Sequence, residues 1–310
     1  MPLVDTSIEY PLTNLTTTTT MEPSQFQAGL DRLAQPILPL VRLVQLLFLT
    51  GPFTTVNELL EELNEPIETV VRYEEPAKAL APYLDLLTEF HRYKDQTPTN
   101  YAVFNHGAAP LAPMEAIDLW VAQQVVTREL EIINSLLCAP CKCSLCCTGP
   151  TPESRQVFFE IPLDAHETAL FPLAHIDSPE SRGMTSDSEP PLAVNGLPFH
   201  DHPHALYRWQ SGWSMILPRG SACPHLQKSL ACAIYPQRPS VCRRPQIFAY
   251  ILDRTPAYDE QRSSLTIPAF RQEGKILAVW DCPYVKRFQG EIATYAERCE
   301  LEPIFKENKA

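Results

Sequence analysis

Five of the ten cysteines in this 310-residue chain, Cys138, Cys141, Cys143, Cys146 and Cys147, fall within the decapeptide CAPCKCSLCC. A Cys-x-x-Cys turn brings two sulfurs to one side of a tight loop, where both can bind one metal at about 2.3 Å. Cys138 with Cys141, and Cys143 with Cys146, have that spacing. So short a stretch does not easily wrap a metal alone, so closing ligands are expected elsewhere. The candidates are Cys223, Cys232 and Cys242 in ACPHLQKSLACAIYPQRPSVCRRP, and Cys282 in WDCPYV. Thiolate-only ligation suits zinc and iron–sulfur chemistry and disfavours magnesium and calcium. Nine cysteines exceed the four that one zinc takes. Two zinc sites, one iron–sulfur cluster such as 4Fe-4S with spare thiols, or a site with some purely structural cysteines all satisfy the count. Adjacent thiols without a ligand would be an oxidation liability. Arg238, Arg243 and Arg244 stand close enough in sequence to offset thiolate charge. Cys299, on an expected terminal helix, reads as a small buried apolar residue.

The remaining composition narrows the partners. A net charge of -12 and a pI near 5.2 repel phosphate backbones and acidic membranes, and no local basic patch reverses this. The N-terminal MPLVDTSIEYPL lacks the basic and apolar regions of a secretory signal, so a cytoplasmic location is expected. A reducing compartment disfavours structural disulfides. ILPLVRLVQLLFLT, interrupted by Pro39 and Arg42, falls short of the roughly 20 apolar residues of a membrane span and reads as a buried helix. HDHPH, with His200, His202 and His204, reads as a solvated turn rather than a metal site. Tyr207, Trp209 and Trp213 read as core packing.

CKCSLCC followed by CPHL and CAIYPQRPSVCR resembles the CxxCxxCC (YkgJ-like) cysteine-cluster family, a zinc- or iron-chelating domain to which flagellin lysine N-methylase is related. The resemblance runs from about Cys138 to Cys282 and is closest in Cys223-Pro224, Cys232, Ile234-Tyr235, Arg238-Pro239 and Cys242-Arg243. It implies that these cysteines hold zinc or iron. Cys282-Pro283 matches a late Cys-Pro of several members. The first half departs from the pattern: with Cys146-Cys147 aligned, the family's first cysteine falls on Pro140, between Cys138 and Cys141. Either of the two could take its place.

The elements that must position these residues form an expected α+β chain. Residues 1–25 read as a flexible tail, 26–112 as a winged-helix-like module and 113–310 as an irregular, helix-containing cysteine-cluster domain. Leu40, Leu43, Val44, Leu47 and Phe48 recur at helical spacing until Gly51-Pro52, and Thr55 with Glu58 forms a capping-box signature. A further helix is expected from Pro66. LDLLTEFHRY and NYAVFN then read as two strands of a hairpin around a wing. The excess of glutamates between Thr54 and Lys78 is wrong for entering a DNA groove. The module therefore reads as a contact for a protein partner or a second copy. MEAIDLWVAQQVVTRELEIINSLL is the clearest amphipathic helix, with Val126, Leu130, Ile133 and Leu137 on one face, and delivers the chain into the cysteines. VFFEIPL reads as a strand, with a short helix from near Asp164, and the chain is expected to close on a helix from Tyr284 to Glu300.

Three functions follow as expectations: a metal-binding protein with a protein-contact module, an enzyme like the lysine N-methylase, or a metal- or redox-responsive regulator. No Gly-rich strand-to-helix turn of a Rossmann methyltransferase is present, nor a GxSxG elbow, a P-loop or HExxH. The first reading is the one the cysteines carry.

Overall fold

The computed structural model describes residues 23–244, 246–255 and 267–307. The expected tail lies outside them up to residue 22. The chain enters through α1 (Pro23–Ala34), α2 (Leu38–Thr50) and α3 (Val56–Glu62). α2 ends as expected at Gly51, whose N–H bonds the Leu47 carbonyl at 2.8 Å. At the start of α3, Thr55 Oγ1 accepts from Glu58 N at 3.2 Å while Glu58 Oε2 accepts from Thr55 N at 3.3 Å, the capping box read from the sequence. Phe26–Thr50 is apolar and long enough to cross a membrane by length and composition. It is nonetheless divided between two helices, and Leu40, Val44 and Phe48 are completely enclosed by protein.

Two expectations for the N-terminal part are corrected. Pro66 does not open a helix. Ile67–Glu68 (β1) pairs antiparallel with Arg72–Tyr73 (β2), and the next helix, α4 (Pro76–Leu80), begins at Pro76, where the fixed φ of proline suits a first turn. The β-branched residues Ile67, Thr69, Val70 and Val71 favour the hairpin. LDLLTEFHRY is not a strand of a wing either. It forms α5 (Leu84–Leu87) and α6 (His91–Lys94), joined by a 3-10 turn. Tyr83, Leu87 and Phe90 are the buried residues, and their four-then-three spacing is that of one helical face. NYAVFN supplies β3 (Ala102–Phe104), which pairs parallel with a strand some 165 residues later, Ala102 opposite Ala269.

α7 (Pro113–Cys141) is the spine of the molecule. The sequence reading had one apolar face. The buried residues in fact span a wider arc that includes Val121, Val125, Glu129 and Asn134, because α1 packs on one side and a sheet on another. Gly29 permits the first contact: a Cβ there would lie 2.6 Å from Leu137 Cδ2. After α7 come β4 (Phe158–Leu163), a 3-10 helix (Ala165–Leu170) capped by Asp164, β5 (Ala174–Ile176), α8 (Pro179–Arg182), the hairpin β6 (Ala193–Val194) with β7 (Leu197–Pro198), β8 (Ala205–Trp209) and β9 (Gly212–Pro218). β4, β9, β8 and β5 form one four-stranded sheet in that order. β10 (Ile247–Arg254) and β11 (Ala269–Val279) form the antiparallel centre of another. The expected final helix is two, α9 (Pro283–Arg287) and α10 (Gln289–Arg298), separated at Phe288. They are followed by β12 (Glu302–Lys306), parallel to β11.

The fold is α+β. One large apolar core joins α1 to α5, α7, β10, β11 and α9 to α10, so it is continuous across the expected division at residue 112. A second, smaller core fills the face of the β4-β9-β8-β5 sheet around Ile161, Phe171, Leu206 and Leu217. The cysteines lie along the seam between these cores: Cys138, Cys141, Cys143 and Cys282 pack with the first, Cys223 and Cys242 with the second.

Candidate metal centre

The last turn of α7 carries both cysteines that flank Pro140. Cys138 and Cys141 are both helical, three residues apart, and so occupy neighbouring positions on one face. Pro140 sits inside the final turn, where it has no N–H to give, and the helix stops at Lys142, in the left-handed region at φ 52. That reversal carries Cys143 back toward the helix end. A 3-10 turn, Leu145–Cys147, then places Cys146 and Cys147 side by side, their sulfurs 4.0 Å apart.

The closing segment docks on this loop through main-chain bonds. Cys223 N–H donates to the Cys147 carbonyl at 2.7 Å, Gly149 N–H to the Ser221 carbonyl at 2.8 Å, and Thr148 bridges Ala222. The fit is tight enough to require glycine: a Cβ on Gly149 would fall 2.0 Å from the Pro218 carbonyl oxygen. A second bridge, Leu226 to Cys232, folds the loop so that Cys232 returns beside Cys223. Cys242 follows in a 3-10 turn (Ser240–Arg243) anchored by Glu167, whose carboxylate accepts from Ser240 N at 2.7 Å and from Asp164 N at 2.9 Å. Cys282 caps α9, and the neighbouring Tyr284 hydroxyl donates to Asn134 Oδ1 of α7 at 2.6 Å.

All nine candidate cysteines therefore meet at one end of α7, and none is in a disulfide. They divide into two groups. In the first, Cys143 lies beside the Cys141 and Cys282 thiols, which hold it well below the usual thiol range, and their own values rise in turn. Cys138 stands beside this group and is pushed up to about 11, mainly by burial and then by the charge of Cys146. In the second, Cys146 is lowered by the thiol of Cys147, and Cys147 in turn faces Cys223 and Cys242. Burial, then the charges of Cys146 and Cys223, push Cys242 up to about 12. Cys223 is raised by burial, with Cys232 among its neighbours. Cys299 is completely buried near Glu129 and Tyr295, apart from both groups, as a packing residue would be.

The arginines divide as well. Arg238 is buried, with Cys138 among its neighbours. Arg244 and Arg243 instead reach Glu131 of α7, at 2.5 and 3.6 Å, so the sequence expectation for these two is corrected: a carboxylate is their nearest counter-charge. HDHPH is not a solvated turn. The His200 ring stacks on Phe158, His202 Nε2 contacts the Val194 carbonyl, and His200 Nδ1 and His204 Nε2 are buried without a partner among the described residues. Tyr207 and Trp209 are core residues and Trp213 is half-buried.

The sequence reading missed the polar braces of the site. Ser135 takes the Tyr235 hydroxyl on its carbonyl at 2.5 Å and Arg238 on its Oγ at 2.6 Å, tying the closing loop to α7. Asn134 exchanges bonds with the Ile247 main chain at 2.7 and 3.2 Å. The available signal was position: Asn134 flanks the apolar stripe at Ile133 and Leu137, where a polar residue becomes buried and must find partners.

A donor set of nine thiols from four chain segments, buried or half-buried and unbridged, fits a soft metal. The spacing is informative about which. Four sulfurs at about 2.3 Å from one zinc are about 3.8 Å from one another. Among the described residues no three cysteine sulfurs all lie within 4.8 Å of one another; the one such trio of potential ligands is Asp164, His166 and Glu167. That trio is the capping box of the 3-10 helix, with Glu167 already occupied by two N–H donors.

Comparison with known protein families, with curated proteins and with solved structures finds no match to this chain.

Proposed function

We propose that the protein binds metal through these cysteines, as an iron–sulfur or thiolate-iron protein with zinc as the competing occupant. The observation that carries the reading is the convergence of Cys138, Cys141, Cys143 and Cys282 on one side and Cys146, Cys147, Cys223, Cys232 and Cys242 on the other, all free thiols. Unliganded, so dense a set of half-buried thiols would be open to oxidation. Sulfurs spread more widely than a single zinc tetrahedron suit a polynuclear cluster, whose thiolates sit on separate irons. The division into a group of four and a group of five fits two neighbouring centres. When bound, iron in such a site supplies one-electron chemistry or a rigid cross-link between the two cores. The N-terminal helices share a core with α7, so in this reading they brace the centre as well as offering an acidic outer face.

Anaerobic purification followed by elemental analysis, acid-labile sulfide determination and an absorption spectrum tests the proposal. Brown protein with stoichiometric iron and sulfide is the expected result. Colourless protein with zinc would exclude the cluster while keeping metal binding; a folded protein without metal would overturn the reading.

A further inference from the structure

Arg238 is only 5% exposed, and arginine is seldom so buried unless paired. The neighbouring Arg243 and Arg244 pair with Glu131, whereas the side-chain hydrogen bond of Arg238 goes to the neutral Ser135. Its surroundings fix it instead. Nη2 donates to Ser135 Oγ at 2.6 Å, the guanidinium carbon stands 4.0 Å from the centre of the Tyr235 ring, and its carbonyl accepts from Arg243 Nη1 at 2.9 Å. The groups it faces are sulfurs: Cys138 of the first group, and Cys146 and Cys242 of the second. A buried, permanently charged guanidinium needs a counter-charge, and thiolates held as ligands at these sulfurs would provide one.

We propose that Arg238 is a positioning residue of the centre, a rigid cation set between the two cysteine groups that neutralises ligand thiolates of both and so determines how tightly metal is held. The inference rests on the metal-binding reading above. Tyr235 and Ser135 serve it by holding the guanidinium in place, the first by its ring face and the second by its hydroxyl.

The test uses the full chain purified anaerobically as wild type, R238M, R238K and S135A, with metal retained against a graded series of EDTA measured by elemental analysis and folding checked by circular dichroism. R238M is expected to fold yet release metal at about 10–100-fold lower chelator, the range for loss of a group supporting metal ligands. R238K, which restores the charge, should recover most of that loss, and S135A, which keeps it, should shift retention only a few-fold. Retention by R238M equal to wild type would overturn the inference, as would R238K behaving like R238M. Should R238M not fold, R238Q compared with R238K decides the same question. Wild-type protein that carries no metal would overturn the underlying reading, and the inference with it.

Discussion

The main-chain N–H of Cys223 donates to the carbonyl of Cys147 at 2.7 Å, so the two halves of the cysteine set are joined by backbone and not only by whatever their sulfurs bind. The junction exists before any ligand is considered. It fixes where the thiols of Cys147, Cys223 and Cys242 can be.

Gly149→Ala tests that junction. The added methyl would lie 2.0 Å from the Pro218 carbonyl oxygen, which is main chain and cannot rotate away. A destabilisation of about 1–3 kcal/mol is expected, the usual range for overpacking, with metal lost in parallel. Thermal unfolding and metal content of the purified variant check it.

The two groups of cysteines should also separate by mutation. Cys282→Ser is expected to lower metal content at the first group while sparing the second, and Cys242→Ser the reverse; Cys299→Ser should leave metal content unchanged. Elemental analysis of the three variants decides. Equal and complete loss from both Cys282→Ser and Cys242→Ser would indicate a single undivided site.

Glu129 gives the fold a pH dependence. It is buried in α7, accepts from Ile37 N at 3.1 and 3.2 Å and from the Tyr295 hydroxyl at 2.6 Å, and burial raises it from the ordinary 4.5 to about 7. The folded state thus holds a proton that the unfolded chain releases, and the contribution is fully present below about pH 4.5 and lost as pH rises through about 7. Its size is on the order of 3 kcal/mol. Urea unfolding from pH 4.5 to 8 should show this slope in wild type and not in Glu129→Gln.

Asn134→Ala would strand the Ile247 N–H and carbonyl and the Tyr284 hydroxyl, all buried. A loss of about 3 kcal/mol is expected, since each orphaned buried group costs on the order of 1–3 kcal/mol. Leu136→Ala, on the same helix but only half-buried, should cost less. Denaturant midpoints of the two variants make the comparison.

The spine helix, the Thr55 cap and the strand at VFFEIPL were legible in the sequence because each is a local pattern: an apolar period, a cap spacing, a run of β-prone residues. Leu84–Tyr93 was misread because its aromatic and branched residues suit strands, whereas the burial of Tyr83, Leu87 and Phe90 follows helical spacing. β3 was legible as a strand but not its partner: nothing local to Ala102 points to Ala269. The same holds at the site. Arg243 and Arg244 adjoin Cys242 in sequence, yet their nearest acid, Glu131, comes from α7 more than a hundred residues earlier.

The separation of the closing segment along the chain has a biosynthetic consequence. Cys138 to Cys147 leave the ribosome well over a hundred residues before Cys282, an interval on the order of ten seconds at ordinary rates of elongation. At its start five thiols stand ready while the docking segment, the anchoring Arg238 and the last sulfur do not yet exist. Metal loaded at that stage would meet a partial set and could be held by the wrong four sulfurs. On the metal-binding reading proposed above, the order of synthesis favours loading after release, once both cores have closed around the seam.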